Sequence, residues 1–105
     1  MAALGEKIRT LRKSKGYTIE KLGKLTDSSE SYIWQLEARS PPRPSAEKIS
    51  RIALALGVTP EYLLDSEGKL AASDAADEAF YRRYRKMDPV LKKRIRQIVE
   101  LWDDR

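Results

Sequence analysis

The 105-residue chain contains no cysteine and no histidine. Their absence removes disulfides, thiolate nucleophiles, imidazole general bases and the usual zinc ligands together. Catalysis would have to rest on carboxylates and lysines, and no nucleophile–base pair or metal cluster stands out, so an enzyme is not expected and no cofactor is implied. Long apolar runs are missing too. The longest is Ile52-Ala53-Leu54-Ala55-Leu56, far below the ~20 residues that span a bilayer. The start, MAALGEKIRT, has no apolar signal-peptide core, which points to the cytoplasm and away from a membrane.

What is present is charge and helical periodicity. Lys and Arg number 21 against 16 Asp and Glu, a net charge of +5, which favours a polyanionic or acidic partner. The length suits one compact domain, or a small domain with an appended element. No internal repeat or low-complexity tract is evident.

Leu4, Ile8 and Leu11 recur at i, i+4 and i+7, predicting a helix to about Lys15 that ends at Gly16. Thr18 caps a second helix with Leu22 and Leu25 facing inward and Gly23 allowing close helix approach. After the polar turn Thr26-Asp27-Ser28, Ser28 or Ser29 caps a third helix running to about Glu37, with Ile33 and Leu36 inward. Three prolines between Arg39 and Pro44 make a stiff connector that cannot be helical. Ser45 caps a fourth helix with Ile49, Ile52, Ala53 and Leu56 on one stripe, stopped by Gly57. Thr59-Pro60 opens a short fifth helix through Tyr62, Leu63 and Leu64.

The stretch DSEGKLAAS, Asp65 to Ser73, loses the periodicity and contains Gly68. We place a linker at 66–73, between a domain at 1–65 and a helical hairpin at 74–105. In the hairpin, Ala76, Phe80, Tyr84 and Met87 line one helix, Asp88-Pro89 starts the next, and Leu91, Ile95, Ile98 and Trp102 line that one. The fold class is therefore all-α, five helices followed by a C-terminal helical hairpin.

Two short helices around a polar turn, GYTIEKLGKLTDSSESYIWQLEAR, read as a helix-turn-helix. Together with Leu22-Gly23, the run Ile33-Trp34-Gln35-Leu36-Glu37 and the joint Leu54-Ala55-Leu56-Gly57-Val58-Thr59-Pro60, residues 4–65 resemble the lambda-repressor-like family of Cro, CI and XRE-type regulators. The resemblance implies a DNA-binding domain whose third helix enters the major groove. Two positions depart from the family pattern. Ile19 stands where the family very often has Gln, and Ala38-Arg39 where it often has Gly.

With Ile33 as the inward reference, Ser31 and Gln35 lie about 160° away at 100° per residue. The resemblance puts base reading on Glu30, Ser31 and Gln35, and sometimes on Tyr32. Gln35 suits adenine, Ser31 several bases, and Glu30 cytosine N4. Tyr32 and Trp34 suit thymine methyls; the plainer alternatives are a phosphate bond for Tyr32 and packing against the connector for Trp34. Phosphate contacts fall to Arg39 and Arg43 beside the recognition helix, Lys21 and Lys24 on helix two, and Ser29 as cap. The two lysines are equally consistent with a solvated face. The resemblance also implies a structural ion pair between Arg12 and Glu37.

One recognition helix reads only a few base pairs, so a homodimer on an inverted repeat of double-stranded DNA is expected, with half-sites roughly 34 Å apart. Leu91, Ile95, Ile98, Val99, Leu101 and Trp102 form a stripe wider than one neighbouring helix requires, and we assign it to dimerisation. Docking on its own bundle is the alternative. Function reads as a sequence-specific transcriptional regulator, a repressor by family analogy; the competing reading is an antitoxin or similar interaction protein that binds a protein partner through the hairpin and autoregulates its operon.

Overall fold

The computed structural model describes residues 4–38 and 43–103. Among these every regular element is helical: α1 Leu4–Ser14, α2 Ile19–Leu25, α3 Glu30–Glu37, α4 Ala46–Leu56, α5 Pro60–Leu64, α6 Ala72–Lys86 and α7 Pro89–Asp103.

Side-chain caps define helices α2 to α5. Thr18, Ser29, Ser45 and Thr59 each sit in extended geometry and accept from the backbone N–H three residues on, satisfying a donor that the helix start leaves open. Pro60 follows Thr59 at the first helical position, where its missing N–H costs nothing. Gly57 ends α4 in the left-handed conformation at φ 74°, which a side chain would strain.

One core joins these helices. Ile8, Leu22, Ile33, Leu36, Ile49, Ile52, Ala53, Leu56, Val58 and Leu63 are buried together, and Ala75 adds a contact from α6. Truncating any of the large ones would cost about 2–5 kcal/mol by leaving a cavity. Leu25 departs from the expected inward set at 45% exposed, and Leu64 of α5 is 62% exposed. Each is the last residue of its short helix, where the chain turns away. The place expected for Leu25 goes to Thr26, fully buried with its hydroxyl donating to the Leu22 carbonyl at 2.8 Å.

Lys7 is buried against α5 although its charge argues for solvent. Its Nζ donates to the carbonyls of Tyr62 at 2.7 Å and Asp65 at 2.6 Å, and it lies over the Tyr62 ring. An ammonium at the negative end of a short helix is stabilised by the carbonyls it satisfies.

Helix α6 starts at Ala72, two residues inside the stretch 66–73 read as linker, with no side-chain cap. Alanines at 71 and 72 favour helix enough to extend it upstream. The preceding loop is itself tied, because Asp65 Oδ2 accepts from the Leu70 N–H at 2.8 Å. Arg82 binds Glu61 at 3.2 Å and Glu78 at 3.1 Å, linking α6 to α5. Asp88 caps α7 by accepting from the Leu91 N–H at 2.9 Å. Along the hairpin, Phe80, Tyr81 and Tyr84 of α6 face Ile95 and Val99 of α7 across a cleft of about 360 Å³. No residue of α7 is fully buried among those described, so the hairpin projects from the bundle, and the molecule measures 49 × 29 × 24 Å.

Candidate nucleic-acid interface

The turn between α2 and α3 is compact because Gly23 has no side chain. A Cβ there would lie 2.8 Å from the Ser28 carbonyl oxygen, inside the contact distance of any real pair, and the Ser28 N–H donates to the Gly23 carbonyl at 2.8 Å. Asp27 takes φ 55°, a left-handed position that aspartate tolerates better than most residues. Ser29 Oγ then accepts from the Tyr32 N–H at 3.0 Å and starts α3.

Lys48, from the first turn of α4, clamps this turn from outside α2 and α3. Its Nζ donates to the Ser28 hydroxyl at 2.8 Å, the Asp27 carbonyl at 3.2 Å and the Thr26 carbonyl at 3.4 Å. It also lies 5.5 Å from the centroid of the Tyr32 ring, within cation–π range. Arg51, one turn on, reaches Asp27 at 3.5 Å and Glu47 at 2.9 Å. Sequence reasoning missed both cations, since each is sequentially remote from the turn it serves. The available signal was their i, i+3 spacing, which puts them on one edge of α4.

The far end of α3 is held by a second clamp. Arg12 Nε and Nη2 donate to the two carboxylate oxygens of Glu37 at 2.7 and 3.0 Å, and Nη1 donates to the Tyr17 carbonyl at 2.9 Å. The side chains are 10% and 7% exposed. Hydrogen bonding to Glu37 outweighs burial and holds the Arg12 guanidinium above its ordinary pKa. Gly5 of α1 lets the same end of α3 come close: a Cβ there would collide with the Leu36 carbonyl oxygen. That contact was also missed, because a glycine inside an amphipathic pattern gives no sign of what lies above it.

Between the clamps, Glu30, Ser31 and Gln35 are exposed while Ile33 and Leu36 are fully buried. One surface of α3 therefore carries a carboxylate, a hydroxyl and a carboxamide. Tyr32 is half-buried beneath Lys48. Trp34, 64% exposed, borders a cleft of about 300 Å³ with Arg9, Arg12, Ile19, Glu37 and Ala38. Ile19 itself packs on the core edge.

Of the residues assigned to phosphate, Ser29, Lys21, Lys24 and Arg43 are exposed. Ser29 uses its hydroxyl as a cap, and Lys24 stands 3.9 Å from Glu20, an exposed pair worth little. Arg39 lies outside the described residues. The hairpin residues assigned to dimerisation stay together on α7: Leu91, Ile98, Val99, Leu101 and Trp102 are exposed and Ile95 is half-buried.

Comparison with known proteins places this geometry. Residues 3–64 match the family model described as a helix-turn-helix domain. The chain is 24% identical over 99 residues to the HTH-type transcriptional regulator SinR of Bacillus subtilis (strain 168), covering 92% of this chain and 89% of SinR. A crystal structure of SinR, described as the master regulator for biofilm formation and solved in complex with DNA, superposes with a TM-score of 0.56. It is 29% identical and covers 59% of this chain and 98% of that one. A structure of the SinR–SinI complex covers 97% of this chain and 99% of that one at 19% identity and a TM-score of 0.59, a likeness of fold that includes the hairpin. Among the described residues no helix is long and apolar enough to cross a membrane.

Proposed function

The chain belongs to the helix-turn-helix domain family, as a transcriptional regulator of the XRE type related to SinR, and from that premise we propose that it reads a specific operator in double-stranded DNA as a homodimeric repressor. Helix α3 enters the major groove and two copies bind an inverted repeat. The observation that carries this reading is the face Glu30, Ser31 and Gln35, uncovered between two clamps that fix the helix at both ends. Base readout needs donors and acceptors held in one orientation, since a mobile helix loses in ordering entropy what each contact contributes.

Gln35 pairs with an adenine, Ser31 bonds beside it, and Glu30 rejects sites lacking a donor there. Tyr32 and Trp34 flank the reading face and reach thymine methyls. Ser29, Lys21, Lys24, Arg39 and Arg43 serve phosphates. In SinR, the structure solved with DNA supports the use of this fold for duplex recognition. The hairpin, 74–105, supplies the second copy through Leu91, Ile95, Ile98, Val99, Leu101 and Trp102, and 1–65 is the reading domain.

Selection of binding sites from random duplex DNA tests the reading. Wild type should enrich a palindrome, and Gln35→Ala should relax one position in each half-site. Failure to enrich any motif would overturn it.

A second reading draws on the uncovered apolar face of α7. SinR has been solved with the protein SinI, and a protein partner on the hairpin, as in an antitoxin, would occupy the same stripe. Removing 74–105 separates the two. Monomers with weakened operator binding support the dimer; unchanged oligomeric state with loss of a defined small partner supports the second reading.

A further inference from the structure

The positive charge of this protein is densest away from the reading face of α3. Residues 18–38, which hold α2, the turn and α3, contain Lys21 and Lys24 against Glu20, Asp27, Glu30 and Glu37. Arg12 pairs with Glu37, Arg51 approaches Asp27 and Lys48 rests on the turn, so that the reading domain 1–65, with 11 Lys and Arg against 8 Asp and Glu, is only moderately positive at +3. Residues 82–96 instead hold Arg82, Arg83, Arg85, Lys86, Lys92, Lys93, Arg94 and Arg96 against Asp88 alone. That is a local +7 where the whole chain is +5.

These cations gather at the elbow where α6 ends at Lys86 and α7 begins at Pro89. Among the described residues, Arg82 is the one of the eight that meets carboxylates, those of Glu61 and Glu78. Arg85 lies over the Tyr81 ring and Lys92 over Tyr84, with Arg96 donating to the Tyr84 hydroxyl. Such contacts orient the side chains without cancelling their charge. Only Lys92 of the eight is even half-buried. A concentration of like charge on a projecting elbow is self-repelling, and a polyanion relieves it.

We propose that the α6–α7 elbow is a second DNA-binding surface, sequence-independent, which grips duplex phosphates and adds to the affinity that the phosphate-facing residues of the reading domain supply. Part of the affinity then sits apart from the face that gives specificity. Counterion release at the elbow draws the protein to any duplex, and α3 selects the site. This inference rests on the DNA-binding reading above but not on base recognition by α3.

The test uses the full chain with Arg83→Gln, Lys86→Gln and Lys93→Gln combined, all exposed positions away from the apolar stripe of α7. Unaltered melting and sedimentation show that the fold and assembly persist. Affinity for a random duplex and for a selected motif is then measured by fluorescence anisotropy across a salt series. The slope of log K against log salt should fall by about 0.9 for each phosphate contact removed, up to roughly 2.7 for three. Random-duplex binding should weaken at least tenfold while the enriched motif stays the same. An unchanged slope overturns the proposal. Unchanged slope with lost binding to poly-glutamate overturns it in favour of an acidic protein partner. Salt-dependent duplex binding carried by the elbow with no enriched motif would leave this inference standing and sink the sequence-specific reading alone; absence of any duplex binding sinks both.

Discussion

Arg12 and Glu37 form a two-pronged ion pair, Nε to Oε2 at 2.7 Å and Nη2 to Oε1 at 3.0 Å, across the join between α1 and the end of α3. The guanidinium also binds the Tyr17 carbonyl just after α1. A planar fork matched to a carboxylate fixes direction as well as distance. The consequence is that the helix bearing Gln35 is oriented by a residue 23 positions away in sequence.

Arg12→Ala leaves the Glu37 carboxylate mostly buried without its partner. Loss of one member of such a pair costs about 3–5 kcal/mol, visible as a lower midpoint in urea. Operator affinity should fall with it. Arg12→Lys should recover only part, because an ammonium cannot reproduce the fork. Melting unchanged in Arg12→Ala would remove the pair from any role in holding α3.

Lys48→Met keeps the stem and removes the ammonium that bridges Thr26, Asp27 and Ser28. Hydrogen bonds from a charged donor contribute about 1.5–3 kcal/mol each when well formed, and solvent near a half-buried group reduces this, so a loss of about 1–2 kcal/mol is expected. Amide exchange at Ser28 and Ser29 should accelerate more than at Ile8. Equal acceleration throughout would mean that Lys48 stabilises the whole domain and not this turn.

Acid should loosen the seam between the hairpin and the bundle first. The Glu61 carboxyl is held below its ordinary pKa chiefly by its own backbone N–H and next by Arg82. Asp65 is held low chiefly by the Leu70 N–H. A depressed carboxylate pKa contributes stability that is fully present above the unfolded-state value and disappears as pH falls through the folded-state value. Thermal stability and α6 amide protection should therefore stay level from neutral pH to about pH 5 and decline below about pH 4. Glu61→Gln should flatten part of that decline; an identical acid limb in that variant would exclude Glu61 as a cause.

Much of this architecture is legible in the sequence. Caps such as Ser29, Ser45 and Thr59-Pro60 act within three or four residues, so local chemistry locates each helix start. The stripe Ile49, Ile52, Ala53, Leu56 needs only the helical period. Leu25 shows the limit, because its period pointed inward while helix α2 ended beneath it and Thr26 took the buried place. The early start of α6 has a similar origin, since alanine favours helix without any cap to announce it.

The sequence by itself determined seven amphipathic or capped helices, the glycine that stops α4, and a charge surplus centred on residues 82–96, because each depends on neighbours along the chain. Tertiary structure alone decided that Gly5 marks a point of backbone contact, that Lys7 closes the end of α5, and that Lys48 grips the turn before α3. It also decided that α7 packs no residue fully out of solvent among those described. Those relationships join residues up to 58 positions apart, and their energies come from desolvation and hydrogen-bond geometry that exist only once the helices have met.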